Sequence, residues 1–199
     1  MSVAARQPVV GEPPARRFDP TDTEAVRAAL TGFVAAETGG PVEIGALRRF
    51  TVGFSWVTYG FHATWSAGGR KVSRDLILRA GPPTGIFSPY SAFPEFVTLK
   101  ALEASAVPVP RVYWHSDDLS ILGAPFFICD LVAGEAPIPW TRDGGPAFDD
   151  ERRVRLGEQF VAALAALHNF AWQGTPVAAI DGTTDPHRTA TAQVDLWMG

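Results

Sequence analysis

The chain has little of what several classes of protein depend on. A single cysteine, Cys129, excludes an intrachain disulfide framework, and we expect a reducing, cytoplasmic compartment. One cysteine and four scattered histidines give no metal-ligand spacing. A formal net charge of −4 argues against a dedicated nucleic-acid binder. No apolar run approaches the roughly 18 residues of a membrane span, and the N-terminal residues lack the continuous apolar core of a secretory signal.

What is present is a globular composition, 46% hydrophobic and 19% charged, in which most of the chain is expected to fold. Residues 1–18 are rich in proline and arginine, and we expect a flexible tail there. The next stretch, DPTDTEAVRAALTGFVAAETGG, predicts an amphipathic helix. Thr21 or Asp22 can cap its start, and the glycine pair at 39–40 ends it.

Five strand patterns follow, and they predict an α+β protein with a small antiparallel sheet. Alternating or apolar runs lie at 42–52, 54–65, 72–81, 106–116 and 123–134. A helical pattern at 93–105 separates the third strand from the fourth. The last run, which contains FFICDLVAG, is predicted to be an apolar edge strand that leads into a linker.

The remainder of the chain predicts a hinge and the beginning of a helical lobe. Residues 135–148 are rich in proline and glycine, which is typical of a linker. Acidic residues at 149–151 then suit the start of a helix that runs to about His168. We therefore divide the chain into a tail (1–18), a sheet lobe (19–134), a hinge (135–148) and an incomplete helical lobe (149–199).

Each candidate functional residue also has an ordinary structural explanation. Gly53 and Ser55 lie in a turn where backbone and hydroxyl donors could cover phosphates, although a β-bulge or tight hairpin explains them equally well. Arg79 ends the third strand and could hold phosphates, or it could be a surface arginine. Glu95, in the first turn of the next helix, could orient Arg79 across the gap, or it could simply complement the helix dipole.

Taken in order, these parts match an ATP-binding lobe of the kinase type. The chain resembles the aminoglycoside phosphotransferase and choline kinase-like superfamily, and in particular the branch related to the kinase-like domain fused to some acyl-CoA dehydrogenases. The matching stretches are VGFSWVTYGF, DLILRAGPPTG, FPEFVTLKALEASAVPVPRVY, LGAPFFICDLVAGE and LAALHNFAW, and together they span about residues 22–199. The resemblance implies a protein-kinase-like fold, in which a five-stranded N-terminal lobe precedes a truncated helical lobe.

The resemblance also implies roles for individual residues in binding ATP. Gly53 and Ser55 fall in the nucleotide-covering loop, although the Asn that usually follows this Ser is Trp56 here. Arg79 takes the position of the phosphate-binding lysine, and Glu95 takes that of the acid that pairs with it.

Three further positions match the segment that meets adenine. Asp130 and Val132 correspond to hinge residues whose backbone contacts the base, and Cys129 corresponds to the gatekeeper at the back of the pocket.

The motifs that perform the chemistry in this superfamily are not found in the chain. Its catalytic loop carries His-x-Asp, with an Asn some residues later, and a further acid binds Mg²⁺. His187 is followed by Arg188 and Thr189, and Asp195 comes too early to be the metal-binding acid. No catalytic residue and no metal ligand can therefore be assigned, and we expect both beyond residue 199.

The expected function is that of the N-terminal portion of an ATP-dependent kinase acting on a small-molecule alcohol, with ATP and Mg²⁺ as cofactors and little activity alone. Two alternatives stay open: a non-catalytic nucleotide-binding pseudokinase, or half of a split enzyme whose partner supplies the missing lobe. The apolar side of the 149–168 helix would lie exposed, which predicts self-association or such a partner. No nucleic-acid or membrane partner is expected.

Overall fold

A computed structural model describes residues 18–51, 55–84, 90–134 and 149–180, together with 188, 191, 194, 195 and 198. The four helices are α1 (Thr23–Thr38), α2 (Phe93–Leu102), α3 (Leu119–Leu122) and α4 (Asp150–His168). The strands are β1 (Val42–Ile44), β2 (Arg48–Phe50), β3 (Val57–Ala67), β4 (Arg70–Ala80), β5 (Val112–Ser116) and β6 (Phe126–Asp130). Two short 3-10 turns follow α4, at Trp172–Gly174 and Pro176–Ala179.

The strands form one antiparallel sheet in the order β1-β3-β4-β6-β5, and β2 pairs with β3 beyond the end of β1. The predicted α+β class is confirmed, but the sheet has six strands rather than five. The predicted first strand is divided because the chain leaves the sheet between Ile44 and Arg48. At this break the Gly45 N–H still donates to the His62 carbonyl, at 2.9 Å.

The predicted edge position of the FFIC strand is wrong. β6 pairs with β4 on one side and with β5 on the other, so it lies inside the sheet. Its residues 126–129 are all buried. The apolar sequence reflects this double coverage, whereas a strand at the edge of a sheet usually carries charge or proline.

The first helix forms as the sequence predicts. The Asp22 side chain accepts a hydrogen bond from the Ala25 N–H and caps α1, and Gly39 ends it in the left-handed conformation, with φ at 69°. Val26, Leu30 and Val34 point from α1 into the core. There they meet the face of β3 that carries the predicted period-two residues, which are all buried: Val57, Tyr59, Phe61, Ala63 and Trp65.

The second helix covers the opposite face of the sheet. A smaller core forms there from Ala92, Val112, Phe127 and Cys129, with Phe96 and Leu99 of α2 packed against it. The register places Thr58, Arg79, Phe127 and His115 side by side on adjacent strands, so all four belong to this face. Arg79 therefore comes to lie beside α2.

The fourth helix contributes nothing to either core. Its start is capped by Asp149, whose side chain accepts from the Arg152 N–H at 2.9 Å. No residue of α4 is buried. The helix is predicted correctly, and its apolar stripe is exposed, as expected: Val154, Phe160, Val161, Leu164 and Leu167.

Candidate functional site

The candidate site is built around an ion pair between the sheet and α2. An Arg79 Nη1 atom donates to Glu95 Oε1 at 2.5 Å. The two side chains are 33% and 31% exposed, so the pair lies at the edge of the core, where water still reaches part of it. The sequence predicts that Glu95 orients Arg79 across the gap between sheet and helix, and the structure forms this contact.

Two aromatic rings, which contact each other edge to face, lie beside the Arg79 guanidinium. Its carbon atom lies 5.6 Å from the centre of the Trp56 ring and 5.5 Å from that of Phe127. Both distances fall within the range of cation–π attraction. The Arg79 Nε atom is buried and has no hydrogen-bond partner among the described residues. The guanidinium thus contacts one carboxylate and two rings, and some of its five donors have no acceptor among the described residues.

Burial dominates the electrostatics of this cluster. It raises the pKa of the Glu95 carboxyl above its ordinary value, and the attraction of Arg79 offsets only part of that effect. Burial also raises the pKa of the Cys129 thiol to about 11. Cys129 is therefore a neutral, unreactive thiol at physiological pH.

Contacts at both ends of α2 fix the height of Glu95 above the sheet. At the start of the helix, Asp117 accepts hydrogen bonds from the Ala92 N–H, at 2.6 Å, and from the Ser91 hydroxyl, at 2.7 Å. Just past its end, Glu103 accepts from the Val112 N–H at 2.7 Å. These hydrogen bonds connect both ends of α2 to β5 or to the residue that follows it, so the helix is anchored to the sheet at both ends.

A half-buried histidine supports the same helix from below. The His115 ring packs against the Phe96 ring, with centroids 4.3 Å apart, and its Nδ1 atom is buried without a partner among the described residues. Burial lowers the pKa of His115, although the charge of Asp117 acts in the opposite direction. The neutral imidazole is therefore the form that suits this packing.

The predicted hinge residues lie at the end of β6. The Cys129 side chain is buried in the smaller core beneath α2, and its role as a gatekeeper stays a prediction. The Asp130 N–H donates to the Arg111 carbonyl at 2.9 Å, and the Asp130 side chain accepts from the Tyr113 hydroxyl at 2.7 Å. The Val132 side chain is 70% exposed, two residues past the end of the strand.

The loop predicted to cover phosphates is described only in part. Gly53 lies outside the described residues, and Ser55 is exposed just before β3 begins. Ser55 is followed at once by Trp56, whose ring reaches Arg79. Proximity to the cation is thus established for the residue after Ser55, and the contribution of Gly53 stays a prediction.

Three aromatic residues of the site were not predicted from the sequence. Trp56 makes edge-to-face contacts with Tyr90, at 5.7 Å between ring centres, and with Phe127, at 5.9 Å. These residues come from three separate segments of the chain, so no local pattern joins them. Phe127 could have been found from the strand pairing, because the observed register of β6 against β4 places it beside Arg79.

A separate polar row lies on the exposed part of β3 and β4. His62 Nδ1 is 2.8 Å from Asp75 Oδ1, and His62 Nε2 is 2.8 Å from the Ser73 hydroxyl. The His62 and Asp75 side chains are 54% and 69% exposed, so water competes for these contacts. A Ser, a His and an Asp in contact can form an acyl-transfer site, but such sites rely on a pocket that excludes water. Because this row is exposed, we assign it to cross-strand pairing.

The described residues do not provide a metal centre. They include no group of three or more His, Cys, Asp or Glu side chains able to hold an ion. Nor does any helix in the described part of the chain have the length and apolar character needed to cross a membrane. The arrangement that the described residues do form is the Arg79–Glu95 ion pair beside two aromatic rings.

Comparison with known protein families identifies the family to which the chain belongs. Residues 59–196 match the phosphotransferase enzyme family, also abbreviated APH, and this match covers more than half of the chain. The chain belongs to this phosphotransferase family. The resemblance inferred from the residues is thereby confirmed, and the match includes β3 from Tyr59 onward, Arg79, Glu95 and the end of β6.

Two relatives of this phosphotransferase chain agree with the assignment. It is 29% identical over 163 residues to mouse acyl-CoA dehydrogenase family member 10, a match that covers 81% of this chain and 14% of that protein. Its fold is similar to the crystal structure of a candidate aminoglycoside phosphotransferase from Ralstonia eutropha JMP134, with a TM-score of 0.57 and 21% identity. That match covers 91% of this chain and 46% of the other. The chain thus spans less than half the length of either relative, and the similarity in fold confirms the predicted kinase-like class.

Proposed function

We propose that this chain is the ATP-binding portion of a phosphotransferase that phosphorylates an alcohol group of a small molecule. The observation that carries the proposal is the Arg79–Glu95 pair. In protein kinases a lysine on a strand, paired with a glutamate from the adjoining helix, takes part in holding the nucleotide, and Arg79 with Glu95 repeats this arrangement with a guanidinium as the cation. Membership of the phosphotransferase family supports it.

The residues of the chain would bind and orient the nucleotide. Arg79 would donate its remaining N–H groups to phosphate oxygens, and Glu95 would keep the guanidinium in place. Ser55, with Gly53, would lie over the phosphates. The backbone at Asp130 and Val132 would meet the adenine ring, in front of the buried Cys129. ATP itself would supply the phosphoryl group that the alcohol oxygen receives.

Metal binding and proton transfer are not assigned to these residues. The described part of the chain has no set of carboxylates that fits Mg²⁺. The sequence has one His-x-Asp, His115-Ser116-Asp117, but it lies at the end of β5, and Asp117 accepts hydrogen bonds from Ser91 and Ala92 at the start of α2, so we do not assign it as a catalytic loop. We therefore infer that the chain alone does not transfer phosphate at a useful rate, since phosphoryl transfer depends on charge stabilisation and on a positioned nucleophile.

The acceptor would be bound mainly by parts that the chain does not contain. Similarity to acyl-CoA dehydrogenase family member 10 makes a hydroxyacyl compound a reasonable first acceptor to test. We place the protein in the cytoplasm, on the basis of its single free and buried cysteine.

The test is calorimetric titration of the chain with ATP. We expect binding to the wild type, and binding at least about tenfold weaker in Arg79→Ala, because a charge-assisted contact to phosphate is lost. Arg74→Ala is the matched control: this residue lies on the same strand and pairs with Ala63, on the face opposite α2, so the affinity should not change. Failure of the wild type to bind ATP, or equal binding by Arg79→Ala, would contradict the proposal.

A second candidate function is a nucleotide-binding module that works with another chain. The exposed apolar stripe of α4 favours it, because such a surface is normally covered. The intact mass of the protein in its source cells separates the two. A mass well above 21.4 kDa would show that the chain is part of a longer enzyme, and a mass of 21.4 kDa would favour a partner or a non-catalytic role.

A further inference from the structure

The residue after Ser55 lies at the centre of the candidate site. The Trp56 ring lies over the Arg79 guanidinium, at 5.6 Å, and also contacts the rings of Tyr90 and Phe127 edge to face. Phe127 approaches the same guanidinium, at 5.5 Å. Trp56 is thus the only residue in the described part of the chain whose ring contacts both Arg79 and Tyr90.

These contacts restrict Arg79 in a way that the ion pair alone does not. A single Nη1 contact to Glu95 leaves the long arginine side chain free to rotate about the bonded atom. Two rings on the guanidinium remove that freedom. They also leave Nε buried without an acceptor among the described residues, so the guanidinium is oriented by the rings rather than by hydrogen bonds to Nε.

We propose that Trp56 is a positioning residue for Arg79. Its indole ring, together with the neighbouring Phe127 ring, fixes the guanidinium in the orientation paired with Glu95, so that the N–H groups not used by Glu95 are available to an anionic ligand. In addition, the contact with Tyr90 connects the start of β3 to the segment that leads into α2. The identity of the ligand as ATP rests on the function proposed above, whereas the positioning of Arg79 does not.

The alternative is that Trp56 only fills space. A space-filling role predicts a general loss of stability when the ring is removed, without a specific effect on the Arg79 side chain. A positioning role predicts a change at the guanidinium itself, and an effect on ligand affinity that disappears when Arg79 is absent. The experiment therefore has one arm without ligand and one arm with ATP.

The first arm observes the Arg79 Nε–H group by ¹⁵N NMR in the full chain, with its signal identified by its loss in Arg79→Lys. In the wild type we expect a ring-shifted signal that exchanges slowly with water, because the group is buried beside two rings. In Trp56→Leu the signal should lose this shift and exchange faster, and in Trp56→Phe it should keep most of both. Trp114→Leu, which removes an edge-to-face ring contact with Trp65 elsewhere in the molecule, should leave the signal unchanged. An unchanged signal in Trp56→Leu would overturn the proposal.

The second arm measures ATP affinity in a double-mutant cycle. Trp56→Leu should weaken binding about fivefold to tenfold when Arg79 is present, the range expected for loss of a partly desolvated cation–π contact. In the Arg79→Ala background the same change should have no effect. Equal weakening in both backgrounds would overturn the proposal, since Trp56 would then act on the ligand directly or through stability.

The two arms separate failure of this inference from failure of the proposed function. If the wild type binds no ATP but the Arg79 signal depends on Trp56, positioning stands and the nucleotide assignment falls. If ATP binds and the Arg79 signal does not depend on Trp56, the nucleotide assignment stands and the positioning proposal falls. Thermal midpoints of all variants, and the conservative Trp56→Phe, show whether a lost effect comes from unfolding.

Discussion

Removal of the Glu95 carboxylate tests how much the fold depends on the ion pair. In Glu95→Ala the Arg79 guanidinium keeps its place beside two rings but loses its acceptor, and its Nε already lacks one among the described residues. A hydrogen bond to a charged group contributes about 1.5–3 kcal/mol. Because both side chains are about a third exposed, water recovers part of this loss, and we expect a decrease of about 1.5 kcal/mol in the free energy of unfolding.

The assay is thermal and urea unfolding followed by circular dichroism. A loss of this size should lower the midpoint by about 3–6 °C in a protein of this length. Glu95→Gln should cost less than Glu95→Ala, because its amide oxygen can still accept from Arg79. Glu24→Ala is the control, since the Glu24–Arg27 pair makes a similar contact but its carboxylate is far more exposed, at 74%.

Two results would refute this reasoning. Equal midpoints for Glu95→Ala and the wild type would mean that the pair contributes nothing and that water satisfies Arg79. A loss in Glu24→Ala as large as that in Glu95→Ala would mean that partial burial of the pair does not matter.

Three other predictions concern the remainder of the described chain. Gly60→Ala should lower the free energy of unfolding by about 1–2 kcal/mol, because the new methyl group would lie 2.9 Å from an aromatic carbon. Gly32→Ala should be stabilising, since nothing lies within 4 Å of that helical position. Urea unfolding measures both variants, and equal effects would contradict this packing. Burial lowers the pKa of His115, so the fold should lose stability as the pH falls below about 6.5. The loss should be smaller in His115→Phe, and identical pH profiles of the thermal midpoint in the two proteins would refute this. The apolar stripe of α4 should bind a hydrophobic dye or promote association, and Phe160→Lys with Val161→Lys should reduce both without lowering the midpoint; a lowered midpoint would show that these side chains are packed.

Local signals in the sequence predicted the elements of the fold well. The caps of α1, the alternation in β3 and the acidic start of α4 are all decided by residues close together in the chain. The position of β6 was predicted wrongly because strand order depends on pairing between distant segments. A short apolar run is compatible with either an edge or a central strand.

The candidate site, too, was predicted in part, where its residues are close in the chain, and missed where they are distant. Arg79 and Glu95 were predicted to meet because one ends a strand and the other begins the helix that follows it. The ring cluster around Arg79 was not predicted, since Trp56, Tyr90 and Phe127 approach one another only after the sheet has folded. A departure from the family pattern at Trp56 marked the position, but its role followed only from its contacts.

The most direct test of the central claim is the fate of ATP bound to the purified 199-residue chain. Radiolabelled ATP would be mixed with excess protein, Mg²⁺ and a set of small hydroxyl compounds, including hydroxyacyl ones, and the products separated over time. We expect ATP to bind and to be recovered intact, because we propose that Arg79 holds the nucleotide and we assign no residue of the chain to the transfer step. Conversion of the bound ATP to ADP and a phosphorylated alcohol, at a rate well above that of the Arg79→Ala variant, would contradict it.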